Sequence, residues 1–391
     1  MKVLILSENT GEGHNSTAVA IKEALAEVGV DCDVQDALSL QSVRLSKFVS
    51  NSHTFCYRYI PRLYGAGYRY EEKIKHKRLS NIKTKAARRL YETVTAGGYG
   101  AIICVHIFGA IIYTEAKNNF GLSVPGYFVA TDYTCSPGVN LTDMNAYFIP
   151  HKHCARDFIR KGVPQEKLVV SGIPVRRTFL QKTEKAVARE QLGLPVEGSI
   201  VLLAFGSIGC GPILEIYKLL ISHLPGDVTI VVITGRNKRI YNKLTEGNIT
   251  VPSNVRIVGY TDKMTLYMDA ADFFMTKSGG LSTTEAIAKQ LPLFCINAVP
   301  GCETRNYEFF TKYNYVLSGK TNDELVDLLV KCVKAPALTK PYIERWKHDF
   351  PSGAADTIVR YVLSGECGGH DNVTFHKEKK AKSRRKRKTI I

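Results

Sequence analysis

The chain has 391 residues, a length that predicts two domains. Of these residues 45% are hydrophobic and 23% are charged, a composition typical of a soluble globular protein. Its ten cysteines include no C-x-x-C pair, and its longest apolar run, residues 101–113, is shorter than the roughly 20 residues that cross a bilayer. These features exclude a disulfide scaffold and an integral membrane protein, whereas the formal net charge of +17 predicts a polyanionic partner, either a nucleic acid or an anionic membrane surface.

The first predicted element is a short buried strand, residues 2–6, followed by a glycine loop and a helix. This order is typical of a doubly wound α/β domain, whose ligands lie beyond the carboxyl ends of the strands. The loop carries Gly11, Gly13 and His14, but Ser16 stands where a dinucleotide fingerprint has its third glycine. We therefore expect no dinucleotide cofactor, and no secretory signal either, because the strand leads straight into the loop.

Residues 44–90 differ from the rest of the chain because tyrosines are interleaved with basic residues. These are Tyr57, Tyr59, Tyr64, Tyr68 and Tyr70, together with Arg58, Arg62, Arg69 and a basic run from Lys73 to Arg89. One interpretation is a solvated helical face with packed tyrosines. The other is an interfacial patch with aromatic rings at headgroup depth and cations on anionic lipid. We favour the second interpretation, in which Tyr64 and Tyr68 contact the membrane or its lipid.

The α/β pattern resumes near residue 99 and continues to the end of the chain. Residues 101–108 are predicted to be a buried strand, and another strand ends at Asp132. In the second half, glycines and polar residues follow three strands in succession. They are Gly206, Ser207 and Gly209, then Arg236 and Asn237, then Gly259 and Tyr260. In an open α/β sheet such strand ends face the ligand, so these residues are expected to lie near one site.

A strand, a glycine turn and a helix follow one another again in the stretch 276–306. Free backbone N–H groups and the helix dipole make such a turn an anion site. The glycines and polar residues of this stretch are Ser278, Gly279, Gly280, Thr283, Glu285, Glu303, Arg305 and Asn306. A phosphate site beside polar groups suited to hydroxyls predicts a nucleotide-sugar site. Ser282 and Glu285 also fit a capping box for a helix that begins at about Ser282, so Glu285 is predicted either to bind ligand or to cap.

The stretch 276–306 closely resembles the donor motif of glycosyltransferase family 28. This family includes the monogalactosyldiacylglycerol synthases, the processive diacylglycerol glucosyltransferases and the peptidoglycan N-acetylglucosaminyltransferase. The resemblance runs in order over roughly residues 1–365, through the glycine turn at His14 and the strand end at Asp132. It implies an α/β protein with two Rossmann-like domains facing a cleft, which is the GT-B fold.

The resemblance also implies a domain organisation. Residues 1–172 would form an acceptor- and membrane-binding domain, residues 173–350 a UDP-sugar-binding domain, and residues 351–366 a helix that packs back on the first domain. Composition predicts that residues 367–391 form a disordered basic tail. The tail offers no aromatic stacking platform beside its cations, so we expect no nucleic acid partner.

Roles for single residues follow from the same resemblance. His14 would be the general base for an acceptor hydroxyl, and Asp132 would orient His14, contact the acceptor or cap a turn. Glu285 would bind the uridine ribose, and the loop with Glu303 would hold the hexose. The complete predicted donor set is Gly206, Ser207, Gly209, Arg236, Asn237, Gly259, Tyr260, Ser278, Gly279, Gly280, Thr283, Glu285, Glu303 and Asn306, and the acceptor or membrane set is Gly13, Tyr64 and Tyr68.

The implied reaction is an inverting transfer of a hexose, glucose or galactose, from a UDP-sugar to the hydroxyl of diacylglycerol. No cofactor and no metal are expected, because backbone N–H groups would meet the charge that develops on UDP. The expected partners are UDP-hexose, diacylglycerol and an anionic membrane surface, with the protein cytoplasmic and peripheral on the inner face of the cell membrane. Two alternatives stay open, a transferase that uses UDP-N-acetylglucosamine and a nucleotide-sugar epimerase of the same fold.

Overall fold

The computed structural model describes residues 1–9, 12–60, 65–67, 70, 80–247, 249, 251–298 and 300–365. Two parallel β-sheets, each built from one half of the chain, form the framework of this part. Strands of such sheets are buried on both faces, which explains why the apolar runs of the sequence supply them. The predicted contact residues Tyr64 and Tyr68 and the predicted tail lie outside the described residues.

The first sheet comes from the N-terminal half, and its strands run in the order β2-β1-β3-β4-β5-β6. They are β1 (Lys2–Ser7), β2 (Cys32–Asp36), β3 (Tyr99–Cys104), β4 (Gly126–Val129), β5 (Ala146–Ile149) and β6 (Leu168–Val170). The described α-helices of this half are α1 (Glu12–Glu27), α2 (Val43–Tyr59), α3 (Ser80–Gly97), α4 (Ile107–Phe120) and α5 (Ala155–Arg160). The strand order reverses between β1 and β3, and ligands bind beside such a switch point in open α/β sheets.

The apolar run at residues 101–108 is shorter as a strand than predicted. Strand β3 ends at Cys104, and α4 begins only three residues later at Ile107. His106 is the N-cap of α4, and its Nδ1 lies 3.3 Å from the backbone nitrogen of Phe108. The first turn of α4 is as apolar as the strand, so hydrophobicity alone could not separate the two elements.

The second sheet comes from the C-terminal half, with its strands in the order β11-β10-β7-β8-β9. They are β7 (Ile200–Ala204), β8 (Thr229–Ile233), β9 (Val255–Val258), β10 (Phe273–Lys277) and β11 (Leu293–Ile296). The described α-helices are α6 (Arg177–Leu180), α7 (Lys185–Gln191), α8 (Ile213–His223), α9 (Lys238–Thr245), α10 (Met264–Ala270), α11 (Gly280–Ala288), α12 (Cys302–Lys312), α13 (Asn322–Lys334), α14 (Lys340–Asp349) and α15 (Ala354–Ser364).

The last described helix, α15, packs against α1 and the first sheet. Ile358 and Val362 are buried in one apolar cluster with Val3, Ile5 and Ile21. A fully buried aliphatic side chain of this size contributes about 1.5–3 kcal/mol. This packing attaches the C-terminal end of the described chain to the N-terminal half. The domain boundaries at residues 172, 350 and 366 stay predictions.

Arg177 ties the connection between the two sheets to α1 and α15. Its guanidinium donates to Glu27 and Asp356, and its backbone N–H donates to Glu23 at 3.0 Å. The hydrogen bond from Arg177 lowers the pKa of Asp356. Gly172, just before this connection, has φ +85°, a left-handed conformation that favours glycine.

Aromatic packing joins the loop after β4 to the second half. The ring of Tyr133 stacks on Phe309 of α12 with centroids 5.0 Å apart. Its hydroxyl lies 2.8 Å from Thr284 of α11, and its backbone N–H donates to Asn306 of α12 at 2.8 Å. These contacts bring the carboxyl ends of both sheets to a common cleft.

Candidate active site

A cavity of about 930 Å³ opens in this cleft, and residues from both halves line it. Both predicted catalytic residues, half of the predicted donor residues and Gly13 of the predicted acceptor set reach it. They are Gly13, His14, Asp132, Gly206, Ser207, Tyr260, Gly279, Gly280, Glu285 and Glu303. Residues separated by more than 250 positions in the sequence thus share one wall. The volume is in the range of small-molecule sites in proteins.

Three predicted donor residues brace the glycine turn after β7 and do not line the cavity. Asn237 donates from its amide to the carbonyl of Gly209 at 2.7 Å and caps α9 by accepting from Ile240. Gly209 has φ +65°, and a Cβ there would lie 1.9 Å from the carbonyl oxygen of Thr234. Arg236 forms an ion pair with Glu12 of the other half, and its guanidinium lies 4.6 Å from the ring centre of Tyr260.

The other predicted donor residues outside the cavity wall support the second glycine turn or the wall itself. Ser278 donates to the carbonyl of Glu303 at 2.7 Å, and Thr283 donates to the carbonyl of Gly279 at 2.8 Å. Asn306 is fully buried. Gly259 lies against the ring of Tyr241.

His14 sits in the first turn of α1, and its ring orientation is set by the first sheet. The Nδ1 atom lies 3.0 Å from the carbonyl oxygen of Val105 and 3.0 Å from the hydroxyl oxygen of Thr131. A proton on Nδ1 that is donated to Val105 leaves Nε2 as the basic nitrogen of the ring. Since the ring lines the cavity, this tautomer suits a general base.

Two further residues beside His14 were not predicted from the sequence. The ring of His106 meets the His14 ring edge to face at 4.7 Å, and a carboxylate oxygen of buried Glu8 contacts His106 Nδ1. The only sequence signal for this pair was a histidine that interrupts an apolar run.

Asp132 lies at the cavity, but it does not orient His14 as one of its predicted roles required. Its carboxylate accepts from the Asn306 amide at 2.7 Å, and Thr131 takes the place next to His14. Burial raises the pKa of Asp132, and the hydrogen bond from Asn306 opposes that rise. Gly280 makes the arrangement possible, because a Cβ there would lie 2.2 Å from the carbonyl oxygen of Thr131.

Glu285 is buried at the cavity wall and takes no part in a capping box. Helix α11 begins at Gly280 with Gly279 as its N-cap, so Ser282 already lies inside the helix and the capping alternative is wrong. Burial raises the pKa of Glu285 to about 8, and the nearby Arg176 charge opposes that rise. Arg176 also lines the cavity, and its buried Nε has no hydrogen-bond partner among the described residues.

Lys277 is a second cation at the cavity that the sequence did not single out. It is the last residue of β10, is 9% exposed, and pairs with the carboxylate of Glu303. A lysine directly before the Ser278–Gly280 turn was the available sequence signal.

The predicted membrane patch is described only in part. Helix α2 places Phe48, Val49 and Cys56 at the cavity, and Phe48 is 69% exposed. Phe55 and Tyr70 are also exposed. The residues that the prediction named for lipid contact, Tyr64 and Tyr68, are outside the described part of the chain.

Comparison with known proteins shows which families this chain is similar to. Residues 14–175 match the family model of monogalactosyldiacylglycerol (MGDG) synthase. The chain is 25% identical over 365 residues to a processive diacylglycerol beta-glucosyltransferase of Bacillus cereus, with 93% of each protein covered. It is 26% identical over 364 residues to the protein of the same name from Bacillus thuringiensis (strain Al Hakam), again with 93% of each covered.

Solved structures show the same fold. MurG of Acinetobacter baumannii has a TM-score of 0.64 at 13% identity, with 93% of this chain and 99% of MurG covered. HepE of Anabaena in complex with UDP-glucose has a TM-score of 0.58 at 15% identity, with 94% and 100% covered. The comparisons therefore confirm the predicted resemblance to glycosyltransferase family 28, the GT-B fold and the enzyme class, a glycosyltransferase.

Proposed function

We propose that this chain moves a hexose, glucose or galactose, from a UDP-sugar to the hydroxyl of diacylglycerol with inversion, giving a β-glycosyl diacylglycerol. The observation that carries the proposal is the position of His14. Its ring lines the same cavity as the two glycine turns, at Gly206 and Gly279, and as the buried carboxyl group of Glu285. Relatives named as diacylglycerol glucosyltransferases support the lipid acceptor.

The C-terminal half would hold the UDP-sugar. Gly279 is the N-cap of α11, so backbone N–H groups and the helix dipole favour a phosphate there, and the turn at Gly206 after β7 would offer further N–H groups. Glu285 would receive the ribose hydroxyls and Tyr260 would lie beside the uracil. The UDP and UDP-glucose complexes of HepE support this choice of ligand.

The N-terminal half would deliver the acceptor and its base. The acceptor oxygen attacks the anomeric carbon while the bond from that carbon to the diphosphate oxygen breaks, and UDP leaves with the electron pair. The hydroxyl proton passes to Nε2 of His14, whose Nδ1 is held by Val105 and Thr131. A single displacement of this kind turns an α-linked donor into a β-linked product. No metal is invoked in this step.

Apolar side chains of α2 give the acceptor side of the cavity a lipid-compatible entrance. Phe48 and Val49 line the cavity, and Phe48 is largely exposed. Among the described residues, no helix combines the length and the hydropathy needed to cross a membrane. We propose that the enzyme acts peripherally on an anionic membrane surface at the inner face of the cell membrane, with the basic residues 376–391 adding electrostatic attraction.

The test is an assay of purified protein with diacylglycerol micelles and, in turn, UDP-glucose, UDP-galactose and UDP-N-acetylglucosamine. We expect one of the first two donors to give a glycolipid together with an equal amount of UDP, and proton NMR of the product to show a β linkage. An α linkage would contradict direct displacement. Turnover only with UDP-N-acetylglucosamine would favour the alternative transferase, and its conversion without diacylglycerol would favour the epimerase.

A further inference from the structure

Lys277 brings a full positive charge to the point where the two glycine turns approach each other. A Cβ built on Gly206 would lie 3.5 Å from Lys277 Cε and 4.0 Å from its Nζ, and one built on Gly279 would lie 3.8 Å from the same Nζ. Gly206 follows β7, and Gly279 is the N-cap of α11. The ammonium group therefore sits between two loops that both favour anions.

The lining of the cavity contains more carboxyl groups than basic side chains. Among the described lining residues, the only lysine and arginine side chains are those of Lys277 and Arg176, whereas five lining residues carry a carboxyl group: Glu8, Glu12, Asp132, Glu285 and Glu303. Burial raises the pKa of Glu285, and the charge of Arg176 opposes that rise. Without Lys277, backbone N–H groups alone would have to hold a dianion at the glycine turns against several carboxylates.

We infer that Lys277 contacts the diphosphate of the donor and neutralises the charge that develops on it, and that Glu303 holds Lys277 in place until the donor binds. The inference rests on the proposed function. When the bond between the anomeric carbon and the diphosphate oxygen breaks, the electron pair stays on that oxygen and UDP gains one negative charge. A preorganised ammonium at that oxygen stabilises the transition state more than the bound substrate.

The ion pair with Glu303 gives Lys277 a defined position without ligand. Both side chains are nearly buried, and the Lys277 ammonium contacts the Glu303 carboxylate. The Ser278 hydroxyl donates to the backbone carbonyl of Glu303 and ties the first turn of α12 to the glycine turn. Since Glu303, in the first turn of α12, is expected to lie near the hexose, this pair links the phosphate part of the site to the sugar part.

The decisive experiment compares UDP binding, measured by calorimetry, in the wild-type protein and four variants. Lys277→Met removes the charge, Glu303→Gln removes its partner, and a double variant removes both. Lys289→Met is the matched control, because Lys289 is also buried in an ion pair, with Asp269 at 2.7 Å, and does not line the cavity. Thermal unfolding of each variant reports losses of stability separately from losses of affinity.

We expect Lys277→Met to weaken UDP binding by about 10- to 100-fold, the range for a hydrogen bond to a charged group, and to weaken uridine binding much less. The double variant should bind UDP as weakly as Lys277→Met, whereas Glu303→Gln should bind UDP at least as tightly as the wild type. In turnover, kcat should fall more than KM rises. Lys289→Met should lower the melting temperature and leave UDP affinity unchanged.

Recovery of wild-type UDP affinity in the double variant would overturn the inference, because Lys277 would then serve only to neutralise Glu303. An equal loss of uridine and UDP binding in Lys277→Met would overturn it too, since the damage would not concern the phosphates. A wild-type protein that fails to bind UDP would contradict the proposed function itself. Normal UDP binding by the wild type together with unchanged binding by Lys277→Met would contradict the inference alone.

Discussion

Replacing Glu285 by Gln is expected to stabilise the unliganded protein at neutral pH while it weakens donor binding. The carboxyl group is buried at the cavity wall, and burial raises its pKa from 4.5 to about 8. Between these two pH values the unfolded chain has released a proton that the folded chain keeps. The contribution of Glu285 to stability is therefore complete below pH 4.5 and is lost progressively as pH rises toward 8.

The size of this effect follows from the interval between the two pKa values. Each pH unit between the two pKa values corresponds to about 1.4 kcal/mol. The raised pKa of Glu285 therefore lowers the free energy of unfolding by about 3 kcal/mol at pH 7 and by less than about 1 kcal/mol at pH 5. Glutamine has nearly the same shape and does not ionise. Glu285→Gln should therefore be more stable than the wild type by about this amount at pH 7, with the difference nearly gone at pH 5.

Urea unfolding at pH 5 and pH 7 measures both values. Glu166→Gln is the matched control, because it removes the same charge at an exposed position and should change the unfolding free energy little at either pH. Donor KM measures the other half of the prediction. If Glu285 binds the ribose, loss of its hydrogen bond raises KM by about 2- to 10-fold.

Two results would refute the stability part of this prediction, and a third would refute the binding part. A variant that is less stable than the wild type at pH 7 would mean that the buried carboxyl group makes favourable contacts which outweigh its burial. A stability gain of equal size at pH 5 and pH 7 would mean that ionisation is not its cause. An unchanged donor KM would remove the ribose role, whatever the stability shows.

Three other predictions concern the base, the contact between the halves and the membrane. His14→Ala should lower kcat by about 10²–10⁴-fold while calorimetry shows nearly unchanged UDP affinity; a parallel loss of both would make His14 a donor or structural residue. Gly280→Ala should lower both the melting temperature and kcat, because its Cβ would lie 2.2 Å from the Thr131 carbonyl oxygen, whereas Gly226→Ala, with nothing within 4 Å, should change neither. Removing residues 376–391 should weaken sedimentation with anionic liposomes, most at low salt, and spare activity on micellar diacylglycerol, whereas substituting Tyr64 and Tyr68 should impair turnover even at low salt. Equal liposome binding by the truncated and full chains, or a preference of the tail for RNA over lipid, would contradict the last prediction.

Local patterns predicted most of the framework. The strand–glycine turn–helix order at Gly13, Gly206 and Gly279 is visible in the sequence because it depends on neighbours a few residues apart. The structure has the turns at Gly206 and Gly279 at the ends of β7 and β10, whereas Gly13 already lies in the first turn of α1. Where two elements share one composition the pattern was ambiguous, as at residues 101–108, which contain the end of β3 and the start of α4.

Predictions of single roles were less complete, because a side chain near a strand end can point to several places. Asn237 and Gly209 do lie at the predicted turn, but they do not line the cavity. The Asn237 amide stabilises the turn by donating to the carbonyl of Gly209. Asp132 does lie at the cavity, but its partner is Asn306, more than 170 residues away in the chain. Glu285 fitted two roles in the sequence, and the position of the helix start at Gly280 removed one of them.

The sequence by itself determined the alternation of strands and helices, the glycine turns and the histidine that opens α1, since each depends on local spacing and backbone freedom. Only the tertiary structure decided which charges share the cavity. The pairing of Lys277 with Glu303, the approach of Arg176 to Glu285 and the contact of Glu8 with His106 join elements far apart in the chain. Such contacts depend on how two sheets and their connecting segments pack, and the interaction of buried charges depends on distances that no local pattern contains.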